Sequence, residues 1–313
     1  MSHSSSNGPA DVVVVGSINM DLVVRSDRIP APGQTVLGRD FATIPGGKGA
    51  NQAVAVARLG GRCAMVGRVG EDDFGQRLLV GLSGNRVDCG AVIITEGLAS
   101  GVALIMVGPV GENAICVASG ANWRMTPEDL DAAAETIRAA RVCLLQLELP
   151  VETVAHAIRL AADAGVETIL DTAPVPPDGV PSALFAADIV SPNAPEAEAI
   201  TGETLRDHRQ AKAVAAELAT RGARHVVLKL GERGAVCFDG EHFQHVPAHR
   251  ISPVDTTAAG DAFMGALAVA RARGEDLCQA VQYANAAGAA ACRKFGAQPA
   301  MPTPGEVSEL LGA

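Results

Sequence analysis

Aromatic residues are scarce in this chain of 313 residues: they make up 3% of it, with a single Trp and a single Tyr. Charged residues amount to only 19%, whereas hydrophobic residues reach 48%. A large core must therefore be built mainly from Ala, Val, Leu and Ile, a composition typical of a soluble α/β protein. The length fits one α/β domain with an appendage, which we place at residues 11–313.

Long apolar runs and paired cysteines are absent as well. No run approaches the ~18 residues that a membrane span requires, and residues 1–10 are rich in Ser, Gly and Pro without an apolar signal core. We expect this segment to be a disordered tail. The seven cysteines are odd in number, scattered and never spaced C-x-x-C, which favours reduced thiols and a cytoplasmic location without membrane attachment.

Positive charge is in short supply: 25 Lys and Arg face 35 Asp and Glu, a formal net charge of −10. This balance argues against a broad nucleic-acid surface, so we expect no nucleic-acid partner. An anionic cofactor would need local positive features, such as helix N-termini, single lysines or a divalent metal.

Apolar, β-branched runs alternate with Ala-rich helical stretches along the chain. Strands are predicted at 12–15, 63–69, 142–147, 168–170, 189–190 and 226–230, and helices at 50–59, 74–82, 151–164, 212–220, 258–271, 277–292 and 306–311. Strands that are apolar throughout favour a mostly parallel sheet covered by helices on both faces, a three-layer α/β/α core.

Two segments break this βα alternation, at about 22–41 and 93–117. They lack a helical period, carry Gly and Pro turns, and contain strands with alternating polarity. We predict a small β-sheet lid that could exclude water from a reacting phosphoryl group. The alternative is an oligomer contact surface, and one sheet could serve as both.

The stretch 254–263, VDTTAAGDAF, combines small residues with an acid at the start of an apolar helix. Unpaired amides at a helix start bind phosphate oxygens, and Asp261 in the first turn should stay ionised and accept a proton from an attacking hydroxyl. The stretch therefore predicts phosphoryl transfer. The alternative is an ordinary helix capped by Thr256 or Thr257.

A glycine-rich loop, GGKGAN at 46–51, leads into the helix predicted at 50–59. Its glycines allow close backbone approach, and Lys48 and Asn51 can donate hydrogen bonds. It lacks the spacing of a Walker A loop, and no dinucleotide fingerprint follows the first strand. A phosphate loop and a tight structural turn both remain open.

Polar residues follow several predicted strands at the edge where ligands bind in open parallel sheets. After the first strand, Asn19 and Asp21 could bind neighbouring sugar hydroxyls, or could form an Asx turn. Glu148 and Glu196 could bind Mg²⁺ directly or through water. Asp171 also follows a strand end.

In this order the motifs resemble the ribokinase family of carbohydrate kinases, which also contains adenosine kinase and fructokinases. The resemblance runs from about residue 11 to 302. It rests on segments 16–21, 46–51, 101–105, 111–113, 147–148, 193–196, 255–261 and 296–299. Asn19, Asp21 and the 46–51 loop resemble the ribose-binding members in particular.

The resemblance implies a role for each candidate residue. The catalytic group comprises the base Asp261 and an anion hole of the amides of Ala258, Ala259, Gly260 and Asp261. The residues around ribose would be Asn19, Asp21, Gly47, Lys48, Asn51, Glu148 and Asp261. The ATP site would comprise Asn193, Lys229, Gly231, Gly234, Gly260 and Asn285, with Glu196 ordering Mg²⁺ through water. A monovalent cation, K⁺, would lie at Asp255, Thr257, Ala291, Lys294, Gly296 and Ala300.

By the same resemblance, the expected activity is ATP-dependent phosphorylation of D-ribose at O5, by direct in-line transfer, in a homodimer formed through the lid. A kinase of deoxyribose, another pentose or a nucleoside is the alternative, followed by a catalytically silent sugar or nucleotide sensor. Two positions depart from the family pattern. Ala300 stands where a Ser is usual, and Lys229 stands where a small hydroxyl residue is usual.

Overall fold

The structure of the protein is a computed structural model that describes residues 9–109 and 111–312. Except for Pro9 and Ala10, the predicted N-terminal tail lies outside the described residues. Within the described ranges, no helix combines the length and apolar character that crossing a bilayer requires.

The described residues form thirteen strands in two sheets. In chain order they are β1 Val12–Val15, β2 Asn19–Ser26, β3 Gly38–Gly46, β4 Cys63–Gly70, β5 Val87–Thr95, β6 Gly101–Val107, β7 Asn113–Ala118, β8 Val142–Leu145, β9 Glu167–Asp171, β10 Ile189–Ser191, β11 His225–Lys229, β12 Ala235–Phe238 and β13 Phe243–Val246.

The same residues form ten α-helices and four short 3₁₀ turns. The helices are α1 Lys48–Arg58, α2 Asp73–Gly84, α3 Pro127–Ala132, α4 Ala134–Arg138, α5 Val151–Ala162, α6 Ala194–Thr201, α7 His208–Thr220, α8 Ala259–Ala272, α9 Leu277–Ala291 and α10 Pro304–Leu311. The 3₁₀ turns are Gly120–Arg124, Ser182–Ala186, Gly231–Arg233 and Gln298–Ala300.

The nine-stranded main sheet has the order β13-β12-β11-β10-β9-β8-β1-β4-β5. Its strands run parallel except β12 and β13, which pair antiparallel at one edge. Along β1, Val12 and Val14 pack into one core with residues of α1, α8 and α9, whereas Val13 and Val15 pack into a second core with residues of α5 and α7. Both faces are thus covered, and the predicted three-layer, mostly parallel fold is confirmed.

A second, four-stranded sheet has the order β3-β2-β6-β7. Its β2–β3 and β6–β7 pairs are antiparallel, and β2 and β6 run parallel. The predicted lid segments have the wrong bounds, because this sheet begins at Asn19 and Ile93–Thr95 belong to β5 of the main sheet. As the edge strand, β5 alternates between partly buried and exposed residues, so it has the same pattern as a strand of the small sheet.

The two sheets are joined directly at the carboxyl ends of the main strands. Only Gly16, Ser17 and Ile18 separate β1 from β2, and α1 begins two residues after β3 ends. The backbone amide of Ala50 donates to Ser17 O over 2.9 Å, which holds the start of α1 against the end of β1. Residues after β1, β8, β9, β10 and β11 therefore surround one crevice, as expected for an open parallel sheet.

Candidate active site

The helix α8 begins without a side chain to cap it. Its N-cap residue, Ala258, adopts the left-handed conformation at φ 57°, which is uncommon for a residue with a Cβ atom. By contrast, Asp72, Asn193 and Asp207 cap α2, α6 and α7 with their side chains. The alternative in which a threonine caps this helix is therefore wrong.

Two amides in the first turn of α8 remain available. Among the described residues, no group accepts a hydrogen bond from the amides of Gly260 and Asp261. Free amides and the positive end of the helix dipole together favour an anionic ligand at this point.

Asp261 lies in the first turn of α8 and is almost fully buried. Its Oδ2 accepts a hydrogen bond from Asn51 Nδ2 at 2.9 Å, and its Oδ1 accepts one from Gln52 Nε2 at 3.1 Å. Successive residues of α1 thus hold the two carboxylate oxygens. The structure brings together Asn51 and Asp261, which are 210 residues apart in the sequence.

Burial sets the direction of the Asp261 pKa. Removal from water raises the pKa of Asp261, and the charge of Asp171 adds to this, against the opposing effects of Lys48, Asn51 and Gln52. Lys48 responds in the opposite sense: burial lowers its pKa, but the carboxylates around it raise it above the usual value overall.

The start of α1 is occupied by protein groups. The Lys48 amide donates to Glu148 Oε2 at 3.1 Å, and the Gly49 amide donates to Ser17 Oγ at 3.4 Å. Ser17 also donates a short hydrogen bond to Glu148. Gly47 has φ 87°, and a Cβ atom there would lie 2.7 Å from the Asn19 backbone nitrogen. The amides of Lys48 and Gly49 are therefore unavailable to a phosphate. They hold Glu148 and Ser17 in place instead.

A cavity of about 310 Å³ opens beside Asn19 and Glu148. Asn122 fixes one wall, since its Nδ2 donates to Asn19 Oδ1 at 2.7 Å and its Oδ1 accepts from the Ile18 amide at 2.9 Å. Trp123 also lines the cavity and is 56% exposed. This cavity has the polar groups and the apolar surface that a small polyol requires.

Asp21 lies on the face of the small sheet that meets this cavity. It pairs in register with Ala103, which pairs with Val117, and Val117 lines the cavity. Burial, followed by the charges of Glu148 and Asp261, raises the pKa of Asp21 to about 7. Three predicted acids therefore interact electrostatically across the crevice.

A larger cavity of about 500 Å³ lies elsewhere. Its lining includes His225, Arg271 and Cys278 and contains none of the predicted site residues. We therefore assign the site by its side chains rather than by the size of its cavity.

Asn193 and Glu196 cap α6 reciprocally. The Glu196 amide donates to Asn193 Oδ1 at 2.9 Å, while Glu196 Oε2 accepts from the Asn193 amide at 2.9 Å and from Thr172 Oγ1 at 3.0 Å. Lys229 lies beside Asn193 through a backbone bridge, and its Nζ lies 2.5 Å from Asp171 Oδ1. The Lys229 ammonium is therefore directed at an acid that the resemblance did not include.

The other residues assigned to the nucleotide are held by backbone geometry. Gly231 at φ 60° and Gly234 at φ 87° form the turn between β11 and β12. Asn285 Nδ2 donates to Val246 O at 3.1 Å and to Pro247 O at 3.4 Å, which ties α9 to the segment after β13.

The Asp255 carboxylate joins two loops beside the start of α8. Its Oδ1 accepts from the Thr257 amide at 2.9 Å, and its Oδ2 accepts from the Gly296 amide at 2.9 Å. Although burial raises it, these hydrogen bonds hold the pKa of Asp255 below its usual value.

Three further residues of the predicted cation loop contribute no side-chain oxygen. Lys294 Nζ is bound to Glu306 Oε2 at 3.0 Å, and the Lys294 amide donates to Ala291 O at 3.1 Å. Ala300 is buried and ends the 3₁₀ turn Gln298–Ala300. Only main-chain oxygens of these residues could reach a cation.

Sequence reasoning missed several polar residues of the site. The one that contacts the most predicted groups is Gln52, which hydrogen-bonds Asp261, Asp171 and Gln146. Its signal was present, because it directly follows Asn51 in the glycine-rich motif. Ser17 also had a local signal, because it lies within segment 16–21, whereas Asn122 had none and its partner Ile18 is 104 residues away.

The arrangement places one buried carboxylate, Asp261, at a helix start with free amides and within electrostatic range of Asp21 on the sheet that borders the cavity. A hydroxyl compound in the cavity could give a proton to Asp261 while a phosphate meets the α8 amides. This combination suits phosphoryl transfer to an alcohol.

Comparison with known proteins agrees with this chemistry. The chain belongs to the pfkB family of carbohydrate kinases, whose family model matches residues 9–304.

Individual relatives are similar over nearly the whole length. The ribokinase of Bacillus subtilis is 39% identical over 301 residues, 96% of this chain and 99% of that protein. The deoxyribokinase of Salmonella typhi is 34% identical over 96% of this chain and 98% of that protein. The structure of Arabidopsis thaliana ribokinase complexed with ribose and ATP superposes with a TM-score of 0.90 at 33% identity, covering 97% of this chain and 99% of that one.

Proposed function

We propose that the protein is an ATP-dependent ribokinase, which transfers the γ-phosphoryl group of ATP to O5 of D-ribose and releases ribose 5-phosphate. The observation that carries the proposal is the buried Asp261 carboxylate, which Asn51 and Gln52 hold in the first turn of α8 next to the two free amides. The relatives named above support ribose as the sugar and ATP as the donor.

In this proposal Asp261 removes the proton from the sugar hydroxyl as that oxygen attacks phosphorus in line with the leaving group. The amides of Ala258, Gly260 and Asp261 bind the phosphoryl oxygens as negative charge develops on them. The Ala259 amide, also predicted for this role, already donates to Thr256 O over 3.3 Å. Donors held in place in this way are worth ~2.7–4 kcal/mol each in other enzymes. The transfer is direct, so no covalent enzyme intermediate forms.

The sugar is held by polar groups on both sides of the crevice. Asn19, Asp21, Gly47, Lys48, Asn51 and Glu148 are the proposed contacts. Asn51 supports this role, because its Nδ2 is bound to Asp261 while its buried Oδ1 has no partner among the described residues. A buried acceptor of this kind is costly unless a ligand donates to it.

ATP is proposed to lie along Asn193, Lys229, Gly231, Gly234, Gly260 and Asn285. Bound Mg²⁺ would neutralise phosphate charge, and Glu196 would order it. Both oxygens of Glu196 already accept hydrogen bonds from Asn193, which fits contact through water better than direct coordination. Mg²⁺ commonly keeps several waters.

We propose that K⁺ binds at Asp255, Thr257, Ala291, Lys294, Gly296 and Ala300. The Asp255 carboxylate and nearby carbonyl groups supply oxygen atoms, which suit a hard monovalent cation. Because Ala300 has no side-chain oxygen, we expect K⁺ to increase the activity without being strictly required for it.

The test is an assay of ADP release with ribose, 2-deoxyribose, fructose and a nucleoside, with and without K⁺. We expect ribose to give the highest kcat/KM and Asp261→Asn to abolish turnover while ATP still binds. Near-normal turnover of Asp261→Asn would remove Asp261 from the role of base.

A deoxyribokinase is the second candidate, because one relative carries that activity. Asp21 is proposed to accept from two neighbouring hydroxyls, and a site with such an unpaired acceptor rejects the deoxy analogue by up to ~10⁴-fold. Comparable kcat/KM for ribose and deoxyribose would favour the second candidate. Absence of ADP release with every sugar would indicate a silent sensor.

The small sheet is proposed to act as a lid and as the contact of a homodimer. Phe41, Leu104 and Ile115 are large apolar residues of this sheet that are more than half exposed. A cytoplasmic location completes the proposal, since the free cysteines suit a reducing compartment.

A further inference from the structure

Gln52 connects two buried carboxylates. Its side chain is fully buried in α1, and its Nε2 donates to Asp261 Oδ1 at 3.1 Å and to Asp171 Oδ2 at 2.9 Å. Both hydrogens of the amide nitrogen are thus used. Because ionised carboxylates only accept hydrogen bonds, the amide cannot turn its oxygen towards them.

The other end of the Gln52 side chain is held as well. Its Oε1 accepts a hydrogen bond from Gln146 Nε2 at 2.6 Å. Gln146 directly follows β8, which ends at Leu145, two residues before the end of the strand predicted at 142–147. The Gln52 amide is therefore fixed in orientation by groups from three elements.

Asp171 needs a positive charge, because it is almost fully buried at the end of β9. Lys229 supplies it from β11, with Nζ 2.5 Å from Asp171 Oδ1. An uncompensated buried carboxylate would take up a proton or repel Asp261. The pairs form one chain in the order Lys229, Asp171, Gln52, Asp261.

We propose that Gln52 is a positioning residue for phosphoryl transfer, held by the Asp171–Lys229 ion pair so that the Asp261 carboxylate presents a free lone pair to the sugar hydroxyl. The inference rests on the proposed function of Asp261 as base. It gives Lys229 a role as the partner of Asp171, at a position where the family usually has a small hydroxyl residue.

Several charged groups lie on the elements packed around Asp261. They are Lys48 on α1, Asp171 on β9 with its partner Lys229 on β11, and Asp21 on β2. Asp171 opposes ionisation of Asp261, whereas Lys48 and the Gln52 amide favour it. Changes at Gln52 and at Asp171 should therefore move the pKa of Asp261 in opposite directions.

The experiment compares Gln52→Met, which keeps the length but loses the amide, with Asp171→Asn. For Gln52→Met we expect kcat to fall about 10- to 100-fold, since a hydrogen bond to a charged group is lost, while KM for ribose and for ATP changes less than about threefold. The acidic limb of the kcat profile should move to higher pH in Gln52→Met and to lower pH in Asp171→Asn. Gln76→Met, at an exposed position of α2, is the matched control and should change none of these values.

Carbon-13 NMR titration of labelled aspartates, with Asp261→Asn to assign the signal, measures the same shifts without turnover. A kcat of Gln52→Met within twofold of the wild type, an equal rise in KM, or an unmoved Asp261 titration would overturn the proposal. Failure of the proposed function is distinguishable, because it would show as an inactive wild type or an active Asp261→Asn with the NMR shifts intact.

Discussion

At the scale of single residues, the crevice contains three carboxyl groups, Asp21, Glu148 and Asp261. Burial, followed by the charges of Glu148 and Asp261, raises the pKa of Asp21 to about 7. A carboxyl that accepts hydrogen bonds from sugar hydroxyls does so best when it is ionised. Sugar binding should therefore depend on pH close to neutrality.

We predict that KM for ribose falls as pH rises from about 6 to 8, whereas KM for ATP stays nearly constant. Steady-state kinetics at fixed saturating ATP checks this, with Asp21→Asn as the comparison. A KM for ribose that is flat across this range would contradict the assignment of Asp21 to the sugar.

The same shift has a consequence for stability. Because the folded pKa is raised above the unfolded value of 3.8, the folded state holds a proton that the unfolded chain has lost. The contribution of Asp21 to the free energy of unfolding should thus become less favourable as pH rises from about 4 to 7. Urea titrations across this range should show a flatter pH dependence for Asp21→Asn.

Ala258 carries a backbone cost at the start of α8. We predict that Ala258→Gly changes the free energy of unfolding by less than ~0.5 kcal/mol, because relief at φ 57° is offset by a more flexible unfolded chain. Ala258→Val should destabilise by ~1–2 kcal/mol and lower kcat, since a β-branched residue resists this conformation. Urea denaturation and kcat at saturating substrates measure both effects, and equal stability of the two variants would exclude strain here.

Short motifs were enough to predict Asp261, Asn51 and Glu148, because each lies in or beside a local pattern. The contacts that join Gln52, Asp171 and Lys229 were not predictable in this way. Gln52 and Asp171 are 119 positions apart in the sequence, and Asp171 and Lys229 are 58 apart. Burial of Asp261 was missed for the same reason: it arises from packing of α1 on α8, not from the sequence around position 261.

At the scale of elements, α1 packs against the turn after β1 with almost no space between the backbones. A Cβ atom at Gly49 would lie 2.7 Å from Ser17 N and from Gly16 C. This contact places Lys48 and Asn51 at the crevice. The close approach explains why glycine is required at this position.

We predict that Gly49→Ala lowers the free energy of unfolding by ~1–3 kcal/mol and raises KM for ribose, because the start of α1 must move away from β1. Gly81→Ala within α2 is the control, since a Cβ atom there meets nothing within 4 Å. It should stabilise the protein by ~0.5–1 kcal/mol through helix propensity. Similar behaviour of the two variants in urea would argue against this close contact.

Strands buried on both faces were predictable from composition alone, and β1 was predicted with its observed bounds. Elements at the edges were harder. α6 was missed because Asn193 and Glu196 were interpreted only as ligand residues, although together they form a capping box. The end of β5 was assigned to the small sheet, because a partly covered edge strand has the same alternation of polar and apolar residues as a strand of that sheet.

At the scale of the whole molecule, the small sheet exposes large apolar side chains on both faces, Phe41 and Leu104 on one and Ile115 on the other. We predict that Ile115→Lys shifts the protein towards monomer and lowers its stability at low concentration. Val80→Lys, at another exposed apolar residue, on α2, is the control and should leave the mass unchanged. Light scattering after gel filtration measures both, and a monomeric wild type would refute the proposed dimer.

Three residues between β1 and β2 connect the small sheet, which carries proposed sugar contacts, to the main sheet. Asn19 and Asp21 belong to the small sheet, whereas Asp261 belongs to a helix packed on the main sheet. A sugar offers hydroxyls to groups on both sheets at once, whereas a single water molecule is too small to contact all of them. Wasteful hydrolysis of nucleotide in the absence of sugar should therefore be slow, because the fold itself discriminates against the most abundant competing hydroxyl.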